Sequence, residues 1–127
     1  MDQGTKRIFL VDIDGTICEN IPNEDGVERM RNAKPYEESV RAVNRLYDHG
    51  NFICFFTART DEHAEVTKEW LQEHKVKYHQ IIFNKPRKSS TFTEYHFIDD
   101  THAKATTFKG KFTHFIKKKI EIEVFED

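Results

Sequence analysis

Residues 7–20 read RIFLVDIDGTICEN. An apolar run, Ile8-Phe9-Leu10-Val11, meets Asp12 and Asp14 with Ile13 between them, and a Gly15-Thr16 pair follows. An unbroken apolar run is the pattern of a strand covered on both faces, as in a parallel sheet. Residues i and i+2 at a strand end point to the same side. Two carboxylates held side by side resist ionising together unless a cation sits with them. Acids placed at that cost point to chemistry rather than to solubility.

Size and composition bound the rest. A chain of 127 residues reads as one domain, 1–127. Lys and Arg total 20 against 22 Asp and Glu, a net charge of −2 that gives no electrostatic footprint for nucleic acid. The 11 Phe mark a core-forming composition. Cys18 and Cys54 have no C-x-x-C spacing, so a reduced, cytoplasmic protein is expected. No basic stretch followed by an apolar one opens the sequence and no apolar run approaches roughly 18 residues, so neither secretion nor a membrane segment is expected.

Outward from the first strand, residues 15–36 are polar and turn-rich and predict an irregular flap, a short hairpin over 17–34. PYEESVRAVNRLYDHG, residues 35–50, predicts a helix with acids at its start, Val40, Val43, Leu46 and Tyr47 on one face, and Gly50 as its stop. NFICFFTAR, residues 51–59, predicts a second buried strand ending at Thr57. Thr60 is placed to cap a helix over 60–76, with Val66, Trp70 and Leu71 on its apolar stripe. YHQIIF (78–83) and YHFIDD (95–100) predict third and fourth strands, and THAKATTF (101–108) a short helix. The tail fits both a strand and a helix, and its end is taken as a strand.

Strands alternating with helices predict an α/β, Rossmann-like domain with a central, mostly parallel sheet. Ligands of such sheets bind beyond the carboxyl ends of the strands. Asp12 and Asp14, Thr57, Lys85, and Asp99 with Asp100 all stand there. Mg²⁺ suits such acids, since it takes few carboxylates plus waters and phosphate oxygens. Thr57 and Lys85 suit phosphoryl oxygens. A free carboxylate can attack phosphorus, and a second can carry the proton.

DIDGT, FFTAR, NKP and FIDD, in that order, resemble the four motifs of the haloacid dehalogenase superfamily of phosphotransferases. The layout is similar to its small capless branch around capsule and polysaccharide biosynthesis. The resemblance implies Asp12 as nucleophile and Asp14 as acid/base, with the backbone carbonyl of Asp14 facing the metal. It implies Thr57 and Lys85 as catalytic holders of the phosphoryl group. Substrate contacts are implied at Gly15, Thr16, Thr57, Ala58, Arg59 and Lys85, and metal contacts at Asp12, Asp14, Asp99 and Asp100. Asp100 also suits a helix cap, and Arg59 also suits a surface ion pair with Asp61 or Glu62.

The expected function is Mg²⁺-dependent hydrolysis of a phosphomonoester through an aspartyl phosphate, on a sugar phosphate or similar small metabolite. No nucleic-acid partner is expected. One alternative is a phosphatase acting on a nucleic-acid end or a phosphoprotein, with Lys85, Arg87 and Lys88 as a basic rim. Another is a non-enzymatic receiver-like phospho-acceptor, disfavoured because there the acceptor Asp follows a later strand, with Thr and then Lys after it, whereas here D-x-D opens the chain and Lys85 precedes the acidic pair. Neither motif gap can house a cap domain, on the order of 50 residues. The crevice should be open, and a homo-oligomer is expected wherever one small substrate is turned over selectively. Cys18, just past DIDGT, is expected to line the site and react with thiol reagents. Cys54 is expected to be buried and inert.

Overall fold

The computed structural model describes residues 6–101 together with Ala103 and Ala105. Its elements are β1 (Ile8–Val11), α1 (Gly26–Arg31), α2 (Glu37–Asp48), β2 (Phe52–Phe56), α3 (Ala64–Glu73) and β3 (Gln80–Ile82). Single 3-10 turns at Asn23–Asp25 and Asp61–His63 lead into α1 and α3. The strands form one parallel sheet in the order β1-β2-β3, with Leu10 opposite Cys54 and Cys54 opposite Gln80. This is the expected α/β architecture.

The helices form and stop for local reasons. α2 opens with Glu37 and Glu38 at its positive end and buries Val40, Ala42 and Val43. It ends at Gly50, whose φ of +90° lets Gly50 N–H reach Tyr47 O and Asn51 N–H reach Leu46 O. α3 ends in the same pair of bonds, Lys75 N–H to Gln72 O and Val76 N–H to Leu71 O, but with Lys75 at φ +55°. A residue with a Cβ sits there at a cost of about 1 kcal/mol. At the start of α3, Thr60 N–H donates to His63 Nδ1 at 3.2 Å, the place a Glu or Gln takes in a capping box. Val66, Thr67, Trp70 and Leu71 are buried.

The flap over 17–34 is not a hairpin. It coils through α1 and buries Ile17, Cys18, Ile21, Met30 and Ala33. Extended pairing survives only as single bridges, Asp14 to Cys18 and Cys18 to Pro35. Apolar burial against α3 outweighs the turn-rich composition that suggested a hairpin. Trp70 Nε1–H donates to Ala33 O at 2.9 Å and fastens the end of the flap to α3. Glu19 closes the flap by accepting from Arg29 (2.8 and 3.1 Å) and from Lys34 N–H (2.8 Å).

A second difference lies at residues 95–100, which form no strand. Phe97 is 58% and Ile98 91% exposed. The preceding loop bonds to itself instead: Ser89 N–H donates to Phe92 O, and the Tyr95 hydroxyl donates to Pro86 O. Among the described residues β1 therefore lies at the sheet edge, and the sheet is covered on one face only. Phe9, Val11, Ile53, Phe55 and Ile81 face the core. Ile8 and Leu10 stand on the other face, 72% and 55% exposed. The tail 108–127 and most of the helix expected at 101–108 lie outside the described residues.

Candidate active site

The site grows from the carboxyl ends of β1 and β2. Past Val11 the chain leaves the sheet, and Ile13, fully buried, anchors the turn. Gly15 turns at φ +82° and its N–H donates to Cys18 O, while Thr16 N–H and Ile17 N–H both donate to Ile13 O. The tight turn holds Asp12 and Asp14 on either side of Ile13. It also commits the backbone donors of Gly15 and Thr16 to the turn itself.

The two acids have different surroundings. Asp12 is partly buried and accepts from the next residue, Ile13 N–H, at 2.9 Å. Burial pushes its carboxyl above the usual range, Lys85 pulls it back in part, and the charge of Asp14 adds to the push. Asp14 is clamped. Arg59 Nε–H donates to its Oδ2 at 3.0 Å and Arg59 Nη2–H to its Oδ1 at 2.8 Å. The guanidinium is 2% exposed and spends Nη1 on Thr67 Oγ1 at 3.0 Å. Thr67 in turn donates to His63 O at 2.7 Å. Arg59 thus faces Asp14, neither a surface partner at Asp61 or Glu62 nor open solvent. Asp61 accepts instead from Asn84 Nδ2–H.

Thr57 and Lys85 are placed by an extension of the sheet. Thr57 N–H donates to Ile82 O, Lys85 N–H to Thr57 O and Asn84 N–H to Arg59 O, all within 2.8–2.9 Å. Asn84 takes φ +66°, which asparagine tolerates well, and this bend sets Lys85 beside Thr57. Thr57 is fully buried and its Oγ1 accepts from Arg59 N–H at 3.1 Å. A hydroxyl that accepts such a bond keeps its proton to donate. Lys85 Nζ lies 5.5 Å from the Phe56 ring centroid and 4.9 Å from that of Tyr95. Ala58 O accepts from Asn23 Nδ2–H at 3.0 Å, tying the flap to the second motif.

Asp99 and Asp100 do not join this group among the described residues. Both are exposed, and Asp99 accepts from the N–H and hydroxyl of Thr101. Among the described residues no three acids, histidines or cysteines converge to hold a metal. The carboxylate of Asp14 is occupied by Arg59. Of the pair, the Asp12 carboxylate, which accepts from Ile13 N–H, is the one that no arginine clamps. Cys18 departs from its expected place: it is buried behind Asp14, and burial pushes its thiol up to about 12. Such a thiol is protonated and shielded from reagents. Cys54 is buried as expected. Sequence reasoning missed Thr67 and His63. Their only signal was a Thr on the apolar stripe of α3, four residues after a His.

Among the described residues no helix is long and apolar enough to cross a membrane. The chain is similar to a structural-genomics target from Vibrio cholerae solved by crystallography. That likeness has a TM-score of 0.53 and 25% identity over 76% of this chain and 80% of that one. It is also similar to a chain of the Pnkp1/Rnl/Hen1 complex, with a TM-score of 0.55 and 15% identity. That match covers 72% of this chain and 33% of the other, and shows the fold alone. Comparison with curated proteins finds no match. The family model described as PITM 1-3, LNS2 domain matches residues 9–123, from within β1 nearly to the last residue, and the chain belongs to that family.

Proposed function

We propose that this protein is a phosphomonoester hydrolase of haloacid dehalogenase type that works through an aspartyl phosphate on Asp12. The observation that carries the reading is the unequal acid pair. Asp12 is partly buried, accepts from its neighbour's N–H and lies under the charge of Lys85. Asp14, two residues on, is clamped by Arg59. Family membership supports it, since LNS2 domains are phosphatase-type domains.

In the first step an Asp12 oxygen attacks phosphorus. The bond to the leaving oxygen breaks as Asp14 hands that oxygen a proton. In the second step Asp14 takes a proton from water as the water oxygen attacks phosphorus. The Asp12–phosphorus bond breaks and inorganic phosphate leaves. Lys85 and the Thr57 hydroxyl steady the charge on the phosphoryl oxygens. The Asp12 carboxylate and the Asp14 main-chain carbonyl would hold Mg²⁺, which supplies charge neutralisation between nucleophile and phosphate. Asp99 and Asp100 would join them if residues 95–100 paired along the edge of β1.

The substrate class we favour is a small phosphorylated metabolite such as a sugar phosphate. A phosphate end on a macromolecule is the second reading. It is favoured by the loop after Lys85, where Arg87 and Lys88 are exposed and Lys88 lies 5.4 Å from the Tyr95 ring centroid. The test is quenched turnover with Mg²⁺ and p-nitrophenyl phosphate, read by mass spectrometry. Phosphate on Asp12 is expected. Phosphate on any other residue would overturn the assignment.

A further inference from the structure

We propose that Arg59 is a positioning residue that fixes Asp14 for proton transfer; this role rests on the phosphatase reading above. A buried guanidinium is tolerated only when its donors are matched. Here three nitrogens are committed, Nε and Nη2 to Asp14 and Nη1 to Thr67. Thr67 is itself tied to His63 O at the start of α3. The fork is therefore anchored at both ends. A bidentate pair fixes the plane of the carboxylate as well as its place.

Two consequences follow for Asp14. Oδ1 accepts from Arg59 and lies 3.9 Å from the Cys18 thiol, while Oδ2 spends one lone pair on Arg59 and keeps another to give and take a proton. Nor can the clamped group rotate to compete with Asp12 as nucleophile. Arg59 thus divides the labour between two acids that the sequence places symmetrically about Ile13. It acts through Asp14, since each of its three nitrogens already donates to Asp14 or Thr67.

The experiment compares two esters with Mg²⁺ present. The alkoxide of glucose 6-phosphate needs a proton to leave, whereas the phenolate of p-nitrophenyl phosphate does not. Arg59→Gln should slow the first turnover, the phosphorylation of Asp12, by about 100-fold or more with glucose 6-phosphate and far less with the aryl ester. Inhibition by inorganic phosphate should change less than about twofold. Aspartyl phosphate should accumulate on Asp12 during aryl ester turnover, because the water step still needs the base. Arg59→Lys should recover part of the loss, and Thr67→Val should show the same pattern more weakly. Adding Arg59→Gln to Asp14→Asn should cost almost nothing more, since both remove one function.

If Arg59→Gln does not fold, Arg59→Lys and Thr67→Val carry the test. A raised KM with weaker phosphate inhibition would make Arg59 a substrate contact and overturn the proposal. So would equal losses of first-turnover rate on both esters with a lower Tm, or full additivity with Asp14→Asn. A wild-type chain inactive on both esters and never phosphorylated on Asp12 would instead overturn the phosphatase reading, and the positioning role with it.

Discussion

The loops that follow β1 and β2 and the loop that follows β3 meet at one edge of the sheet, yet they are built differently. In the first pair nearly every polar atom named is spoken for. Asp14, Arg59, Thr67 and His63 form a continuous buried chain, and Thr57 is locked beneath it. Beyond Lys85 the chain bonds to itself, exposes Phe97 and Ile98, and leaves Asp99 and Asp100 in solvent. The difference lies in what covers each segment. The early loops lie under the flap and against α3, where an unpaired charge would be expensive. Nothing among the described residues lies over the later one, so its polar groups have water as an alternative.

The largest effect should come from the nucleophile. Asp12→Asn is expected to lower turnover of p-nitrophenyl phosphate by at least about 1,000-fold, since an amide does not attack phosphorus. The same variant should be more stable. A carboxyl raised in the fold keeps its proton longer there than in the unfolded chain. Stability is therefore lost as pH climbs from the ordinary carboxylate value through the raised one. Removing the charge should therefore raise stability at neutral pH, read by denaturant melts. Unchanged activity, or a less stable variant, would break the picture of a strained functional acid.

Metal removal comes next. EDTA should silence turnover and added Mg²⁺ restore it, with Ca²⁺ a poor substitute because its looser coordination misplaces the reacting groups. Asp99→Asn then sharpens the comparison of loops. A raised Mg²⁺ requirement would place that acid at the metal during turnover. An unaltered Mg²⁺ titration would leave it in solvent.

Packing predictions probe the same contrast without chemistry. Trp70→Phe keeps most of the apolar bulk but leaves Ala33 O without its partner, so a loss of about 1–3 kcal/mol is expected. Ile98→Asp should change stability by less than about 0.5 kcal/mol if residue 98 stays as exposed as it is here. A loss matching that of Trp70→Phe would mean that Ile98 packs on the sheet.

The smallest effect concerns the flap closure. Hydrogen bonding from Arg29, then from Lys34 N–H, holds the Glu19 carboxyl at about 2 rather than 4.5. The stability it contributes is present above pH 4.5 and is lost as pH falls toward 2. Glu19→Gln should flatten the acid limb of a melting-temperature profile across that window. An unaltered limb would assign acid sensitivity elsewhere.

Much of this architecture was legible in the chain. The run Ile8 to Val11, the acids after it, the stripes of α2 and α3, and the stop at Gly50 all follow from short-range rules. Periodicity, caps and backbone preference act within a few residues, and the sequence displays them directly. Two acids two residues apart, read alone, look equivalent. Only the tertiary structure made them unequal, by bringing Arg59 to Asp14 across 45 positions and anchoring it through Thr67. The same long-range logic decided the flap and the segment 95–100. YHFIDD has the composition of a strand, but a strand exists only with a partner edge and a covered face. Burial against α3 coiled the flap that its turn residues had suggested would be a hairpin. Local propensity names the candidates for each element, and desolvation across the whole fold chooses among them.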